Sequence, residues 1–239
     1  MWKIYFNNFV IFIENKLYKN TFNFDGLILR DKTNQVPLIS RSLIRNKLYE
    51  VGELEAIKKL KLHDDNFLDL GSSIGITTLA ISRLAENKKI ISVEPVIDFL
   101  NYSKNNIELY GNKSNDYKYL NKAIYYGEKI PKIIKKQNSL EGTISESKGQ
   151  NIEKTTINKI INNYELSSFN ILIDLEGYSF EPFINEPLVF ERCNKLVVEE
   201  SFSEEFKREE FITTLKNLGF HIAYENIFWN STVIGATKN

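Results

Sequence analysis

The segment from Phe67 to Gly75 combines an acidic residue with two glycines, an arrangement that can hold a charged ligand. Asn66 to Leu70 is predicted to be a short apolar strand, Gly71 allows a sharp turn after it, and Gly75 permits a close approach. The helix predicted to follow would present unpaired backbone amides. Asp69 stands near the end of the strand, where a G-x-G-x-x-G loop would lead straight into glycine. A carboxylate at this place favours a ligand with an ammonium group over a pyrophosphate.

S-adenosylmethionine is such a ligand, because it carries an ammonium group and a cationic sulfonium. The residues assigned to its methionine end are Asp69, Gly71, Ser72, Ser73 and Gly75.

A second acidic residue, Glu94, ends the next predicted strand nineteen residues after Gly75. An acid about twenty residues beyond a glycine turn can accept hydrogen bonds from both ribose hydroxyls of a nucleotide. Glu94, followed by Pro95, is therefore assigned to the ribose. Two alternatives share this pattern. One is an NAD-dependent dehydrogenase, which Asp69 and the missing third glycine disfavour; the other is an α/β domain that binds no nucleotide.

Two further acids, Asp174 and Glu176, follow the apolar residues Ile171 to Ile173. Open α/β sheets bind ligands at the carboxyl ends of their strands. A carboxylate at that edge can orient a substrate, take a proton or hold a metal. The alternative is that Asp174 caps a helix and that Glu176 is a solvated surface residue.

Strands and helices alternate along the rest of the chain and must position these acids. The predicted strands are 66–70, 89–93, 117–124, 170–175, 195–198, 220–224 and 232–236, and most are separated by helical patterns. This alternation predicts an α/β fold with a mostly parallel sheet and helices on both faces. The last two strands have the pattern of a hairpin, so we expect the final strand to be antiparallel and at the edge of the sheet.

Two stretches depart from the alternation. Residues 1–48 are predicted to form a β-rich N-terminal extension, with strand character from Tyr5 to Ile13 and a hairpin turn at Asp25-Gly26. The main domain is then 49–239. Residues 127–155 are predicted to be a long polar loop, which is either a functional element or a solvent-exposed surface loop without a function.

Composition limits the classes of partner. The 31 basic and 31 acidic residues balance, so the sequence gives no sign of nucleic-acid binding. The single cysteine, Cys193, and the two histidines, His63 and His221, cannot form a Cys/His zinc cage, and no residue is assigned to a metal. We expect a cytoplasmic protein, because one cysteine suits a reducing compartment and the apolar N-terminal stretch is too short to span a bilayer.

The segments described above resemble, in order and spacing, the FkbM-type methyltransferases. Asp69 to Thr78 is similar to that family's D-V-G-A-N-x-G-x-x-T signature, with Ser73 at the place of its Asn. Three short segments are similar to further motifs of the family: Val93-Glu94-Pro95 resembles F-E-P, Asn121-Lys122-Ala123 resembles N-A-A, and Thr156-Ile157-Asn158 resembles T-L-D. The segment Ile173-Asp174-Leu175-Glu176-Gly177 resembles I-D-V-E-G, and Glu199 matches an acid at the end of a later strand. Tyr49, Glu50 and Glu53 fit the family's upstream segment.

The resemblance implies a class I (Rossmann-like) methyltransferase fold, with a seven-stranded sheet that is parallel except for one strand. It implies S-adenosylmethionine as the cofactor and O-methylation, commonly of a sugar or polyketide hydroxyl. Asn121 and Ala123 would border the adenine. Asp174 is the first choice for the catalytic base, followed by Glu176 and Glu199.

The acceptor is expected to be a small molecule or a glycan precursor, without nucleic acid or a membrane span. Residues expected at the acceptor are Asn138, Ser139 and Thr143 in the 127–155 stretch, and Trp229 or Tyr178 as a stacking surface. The alternative function is a binding or scaffold module of the same fold that no longer catalyses.

Overall fold

The structure is a computed structural model that describes residues 21–24, 27–30, 36–45, 47–135, 140, 142–201, 205–228 and 231–238. The strand predicted from Tyr5 to Ile13, the Asp25-Gly26 turn, Asn138, Ser139 and Trp229 lie outside these residues.

The described strands are β1 (Thr21–Phe24), β2 (Leu27–Arg30), β3 (Phe67–Leu70), β4 (Lys89–Val93), β5 (Asp116–Leu120), β6 (Ala123–Ile124), β7 (Lys132–Lys135), β8 (Gly142–Ser145), β9 (Gln150–Asn151), β10 (Lys154–Thr155), β11 (Phe169–Asp174), β12 (Cys193–Glu200), β13 (His221–Phe228) and β14 (Ser231–Thr237). The described α-helices are α1 (Leu38–Arg45), α2 (Val51–Leu60), α3 (Ile76–Leu84), α4 (Ile97–Tyr110), α5 (Ile157–Asn163), α6 (Glu181–Asn185) and α7 (Glu205–Asn217). Short 3₁₀ helices occupy Leu62–Asp64 and Pro187–Arg192.

Seven strands form the central sheet in the order β13-β14-β12-β11-β3-β4-β5. The neighbours from β12 to β5 pair in parallel, while β14 pairs antiparallel with both β12 and β13. The predicted fold class, a mostly parallel sheet with one antiparallel strand, is therefore confirmed.

The final strand is antiparallel, as predicted, but its predicted place at the edge is wrong. β14 lies between β12 and β13, and β13 is the edge strand. The physical reason is burial: Thr232 to Ala236 are all buried, whereas exposed and half-buried residues alternate along β13. A strand that is buried on both faces belongs inside the sheet.

Successive strand residues face opposite sides of the sheet, and helices cover both. On one side, Leu68, Ile171 and Leu196 pack in a cluster with Phe211 of α7. On the other side, Phe67, Leu172 and Val197 pack with residues of α2 and α3. Residues from before position 49 also take part in the core, since Leu29 and Ile44 lie in one cluster with Ile74, Leu79 and Phe99.

The stretch 127–155, predicted to be a loop, contains a small sheet in its described part. β7 pairs antiparallel with β8 and β9, and β10 pairs in parallel with β6. Each strand has four residues or fewer and contributes few apolar side chains, so strand periodicity is weak there. The predicted strand 117–124 is likewise divided into β5 and β6. Among the helices described, none has the length and apolar character needed to cross a membrane.

Candidate functional site

The turn after β3 can be built only with glycine at two positions. Gly71 has φ of +85° and Gly75 has φ of +79°, both in the left-handed region. A Cβ atom at Gly71 would lie 1.7 Å from the carbonyl oxygen of Asp174. A Cβ atom at Gly75 would lie 1.9 Å from Oγ of Ser103 in α4. The loop therefore passes close to both β11 and α4.

Ser73 and Glu94 join the glycine turn to the end of β4. The backbone amide of Ser73 donates to Oε2 of Glu94 at 2.9 Å, and the amide of Val96 donates to Oε1 at 2.7 Å. Burial raises the pKa of Glu94 to about 7, although these two hydrogen bonds lower it. Each carboxylate oxygen keeps a lone pair for a further donor, as binding to ribose would require.

A cavity of about 520 Å³ opens at the carboxyl ends of the central strands, within the usual range of roughly 300–1,000 Å³ for small-molecule sites. The predicted site residues that line it are Gly71, Ser73, Glu94, Pro95, Ala123, Asp174, Glu176 and Glu199. The structure therefore brings five of the nine assigned cofactor residues and all three candidate bases to one cavity.

Four predicted cofactor residues do not line this cavity: Asp69, Ser72, Gly75 and Asn121. Oδ2 of Asp69 accepts hydrogen bonds from the hydroxyls of Thr77 at 2.8 Å and Thr78 at 2.5 Å. Burial raises the pKa of Asp69 to about 6. Oδ1 of Asp69 and Oγ of Ser72 are buried without a described hydrogen-bond partner, so both keep a polar atom that a ligand or water could satisfy.

Asn121 supports the cavity wall from behind. Its side-chain amide donates to the carbonyl oxygens of Glu94 at 3.0 Å and Pro95 at 2.9 Å. This contact fixes the loop after β4 against the segment that leads to Ala123, which lines the cavity. Asn121 thus acts on the site through backbone geometry.

Three carboxylates meet beside the glycine turn. Asp174 and Glu199 are register partners in β11 and β12, so their side chains share one face of the sheet. Glu53 of α2 reaches them, and one oxygen from each of the three carboxylates lies within 4.8 Å of the others. Burial, and then the neighbouring negative charges, hold the pKa of Asp174 well above its usual range. The pKa of Glu53 is also raised, first by burial and then by the adjacent Glu199 carboxyl group.

Spacing in the sequence did not identify Glu53 as a site residue; only its place in the family-like segment 49–53 did. Tyr49 and Glu50 of that segment also line the cavity. Burial and the neighbouring charge of Glu50 raise the pKa of Tyr49 well above its usual range, while the side chain of Ser73 lowers it. The segment therefore connects the glycine turn to the carboxylates.

The expected acceptor residues that the structure describes do not line the cavity. Thr143 and Tyr178 do not line it, whereas Gly142 and Ile144 do. The ring of Tyr178 stacks on Tyr125 with centroids 5.8 Å apart. Cys193 is a buried core thiol.

Comparison with known proteins identifies the family. The sequence profile of the methyltransferase FkbM domain matches residues 69–222, more than half of the chain. No curated protein sequence gives a significant match.

Solved structures show the same fold. The magnesium protoporphyrin IX methyltransferase ChlM from Synechocystis PCC 6803, with bound SAM, has 11% identity and a TM-score of 0.51 over 87% of this chain and 86% of that one. TrmK from M. capricolum, in complex with S-adenosyl-homocysteine, has 13% identity and a TM-score of 0.50 over 78% and 68%. The chain therefore belongs to the FkbM methyltransferase family and is an S-adenosylmethionine-dependent methyltransferase.

Proposed function

We propose that this methyltransferase acts on a hydroxyl oxygen of a sugar, in a glycan or a glycan precursor, and that Asp174 is the base. The observation that carries the proposal is the position of Asp174. It ends β11, lines the cavity, and its backbone lies against Gly71 of the cofactor loop. A base at that place would stand beside the bound cofactor.

The cofactor would be held by residues of two neighbouring strand ends. Gly71 and Ser73 offer backbone at the turn, Glu94 offers carboxylate oxygens to the ribose, and Ala123 borders the remaining space. Asp69 would act on the methionine end from beneath the turn, where Oδ1 has no described partner. When bound, S-adenosylmethionine supplies a methyl group on a cationic sulfur.

A sugar hydroxyl is a weak nucleophile and needs a positioned proton acceptor. A carboxylate in a buried site is a stronger base than one in water, because desolvation disfavours its charged form. Asp174 meets that condition. Glu176 and Glu199, the next candidates for the catalytic base, line the same cavity. Most of the remaining rate enhancement would come from holding the hydroxyl in line with the methyl group.

The acceptor side of the cavity suits a small polar molecule. Ser40, Ser201 and Ser231 line it and can exchange hydrogen bonds with hydroxyl groups. We propose a small-molecule or glycan acceptor handled in the cytoplasm, without nucleic acid. The second candidate is a module that binds the cofactor without catalysis. It is favoured by Leu172, a core residue that is 2% exposed and stands directly before the segment Ile173 to Gly177, where the resembling family has a lysine.

The proposal is tested by deleting the gene and comparing O-methyl sugars in the surface glycans by mass spectrometry. We expect one O-methyl sugar to disappear and to return when the wild-type gene is restored, but not when the Asp174→Asn gene is restored. An unchanged methylation profile in the deletion strain would reject the glycan acceptor. Full rescue by the Asp174→Asn gene would reject Asp174 as the base.

A further inference from the structure

We propose that Glu53, Asp174 and Glu199 bind a divalent metal ion that prefers oxygen ligands, such as Mg²⁺, Mn²⁺ or Ca²⁺. The proposal goes beyond the methyl transfer proposed above and does not depend on the identity of the acceptor. It also departs from the expectation from sequence, which assigned no residue to a metal.

The three ligands come from three elements that the fold holds together. Asp174 and Glu199 are adjacent because β11 and β12 pair in register. Glu53 reaches them because α2 packs closely on β14: a Cβ atom at Gly52 would lie 2.8 Å from Cγ2 of Val233. Val233 is itself the register partner of Glu199. The position of Glu53 is therefore set by backbone packing and not by a flexible side chain alone.

The spacing of the oxygens suits a cation. One oxygen from each carboxylate lies within 4.8 Å of the other two. Two ligands of one ion are separated by at most twice the metal–oxygen distance, which is about 4.8 Å for Ca²⁺ and about 4.2 Å for Mg²⁺. Small side-chain rotations would therefore bring all three oxygens to bonding distance, and the open cavity leaves room for water or an acceptor hydroxyl at other positions.

The negative charge around the cluster also favours a bound cation. Among the described residues that line the cavity, Lys122 carries the one positive charge, and its ammonium already pairs with Glu153 at 2.5 Å. Glu53 is 4% exposed, whereas Asp174 and Glu199 are half-buried. Carboxylates this close in a partly buried site share a proton or bind a cation, since bare charges would repel strongly.

A buried oxygen atom outside the cluster also indicates a bound cation. Oε2 of Glu50 is buried, and no described residue donates a hydrogen bond to it. Glu50 lines the same cavity, and its charge acts on both Glu53 and Asp174. A buried carboxylate oxygen without a donor needs a ligand, and water bound to a metal ion at the cluster would supply the donor.

A metal ion at this place would add a positive charge beside the proposed base. Asp174 would bind the ion through one carboxylate oxygen, and its other oxygen would remain to receive the hydroxyl proton. An acceptor hydroxyl bound to the ion would lose its proton more readily, because the positive charge stabilises the oxyanion.

The experiment titrates MnCl₂ into the full-length protein at pH 8 after treatment with a chelator, and follows free Mn²⁺ by electron paramagnetic resonance. Competition with MgCl₂ and CaCl₂ ranks the ions. The variants are Glu53→Gln and Glu199→Gln, and the matched control is Glu55→Gln, an exposed glutamate on the same helix. Thermal unfolding checks that each variant is folded.

We expect one Mn²⁺ site per chain, weakened at least tenfold in Glu53→Gln and in Glu199→Gln and unchanged in Glu55→Gln. No binding by the wild type up to 1 mM Mn²⁺, or equal binding by the wild type and both cluster variants, would overturn the proposal. Calorimetry with S-adenosylhomocysteine without metal is the parallel measurement. Weaker cofactor binding by Glu53→Gln there, with Mn²⁺ binding intact, would assign the cluster to the cofactor's ammonium group instead.

Calorimetry also separates this proposal from the proposed function. If the protein binds the cofactor tightly but shows no metal site, the proposal of a metal site is rejected and the proposal of methyl transfer to a sugar hydroxyl is unaffected.

Discussion

Gly71 and Asp174 are in direct contact through their backbones. A Cβ atom at Gly71 would lie 1.7 Å from the carbonyl oxygen of Asp174, well inside any allowed distance. The turn that borders the cofactor cavity and the strand end that carries the proposed base are thus fixed to each other. This contact makes the geometry of the site sensitive to a single methyl group.

The first prediction concerns Gly71→Ala. Its positive φ disfavours alanine by about 1–2 kcal/mol, and the collision with Asp174 adds to this. The matched control is Gly177→Ala, because Gly177 has φ of +83° but no atom within 4 Å of its Cβ position. We expect Gly71→Ala to lower the melting temperature by more than Gly177→Ala and to weaken S-adenosylhomocysteine binding. Equal melting temperatures for the two variants would contradict the contact.

The second prediction concerns the ribose. Glu94→Ala should lose about 2–4 kcal/mol of S-adenosylhomocysteine binding, since charge-assisted hydrogen bonds contribute roughly 1.5–3 kcal/mol each and do not add fully. It also removes the acceptors of the Ser73 and Val96 amides, so the glycine turn should loosen. The control is Glu86→Ala at an exposed position. Calorimetric titration measures the affinity of each variant for S-adenosylhomocysteine. The same affinity in wild type and Glu94→Ala would refute the assignment of Glu94 to the ribose, and tighter binding of NAD would refute the cofactor class.

The glycine turn and Glu94 could be predicted from the sequence because their residue types are restricted locally. Gly71 and Gly75 are required by the backbone of one short loop, and the acid follows a strand at a set distance. The parallel sheet could be predicted for a similar reason, since alternating strand and helix patterns leave few topologies open.

Other features depend on contacts between distant parts of the chain. Glu53 belongs to the site because Gly52 lets α2 approach Val233, and nothing in residues 49–60 alone reveals that contact. The insertion of β14 between β12 and β13 follows from burial on both faces, which a short hairpin pattern does not specify. The small sheet formed by β7, β8 and β9 was missed because its strands carry so few apolar residues.

The third prediction separates an enzyme from a binding module. Asp174→Asn keeps the shape of the side chain and removes its ability to take a proton, so turnover should fall about 10²-fold or more while S-adenosylhomocysteine still binds. The control is Asp116→Asn, at an exposed residue of β5. Turnover is measured as O-methyl product by mass spectrometry. Unchanged turnover in Asp174→Asn would move the role to Glu176 or Glu199, and wild-type protein that is inactive on every hydroxyl acceptor would favour the binding module.

The last prediction is the pH dependence of stability. Asp69 and Glu94 have pKa values raised mainly by burial, to about 6 and about 7. Between the unfolded and folded pKa values the folded chain binds more protons than the unfolded chain, so the free energy of unfolding must fall as pH rises from about 4 to about 7. For Asp69, the rise from 3.8 to about 6 corresponds to roughly 3 kcal/mol.

Asp69→Asn isolates that contribution, because an amide can still accept from the hydroxyls of Thr77 and Thr78 while it no longer titrates. We expect urea unfolding of the wild type to show a steady loss of stability between pH 4 and pH 7, and Asp69→Asn to lose less over the same range. The variant should equal or exceed the wild type at pH 8, where the buried charge of Asp69 is fully present. Parallel pH profiles for the two proteins would show that Asp69 titrates normally and that its carboxylate is better solvated than its burial under the glycine turn implies.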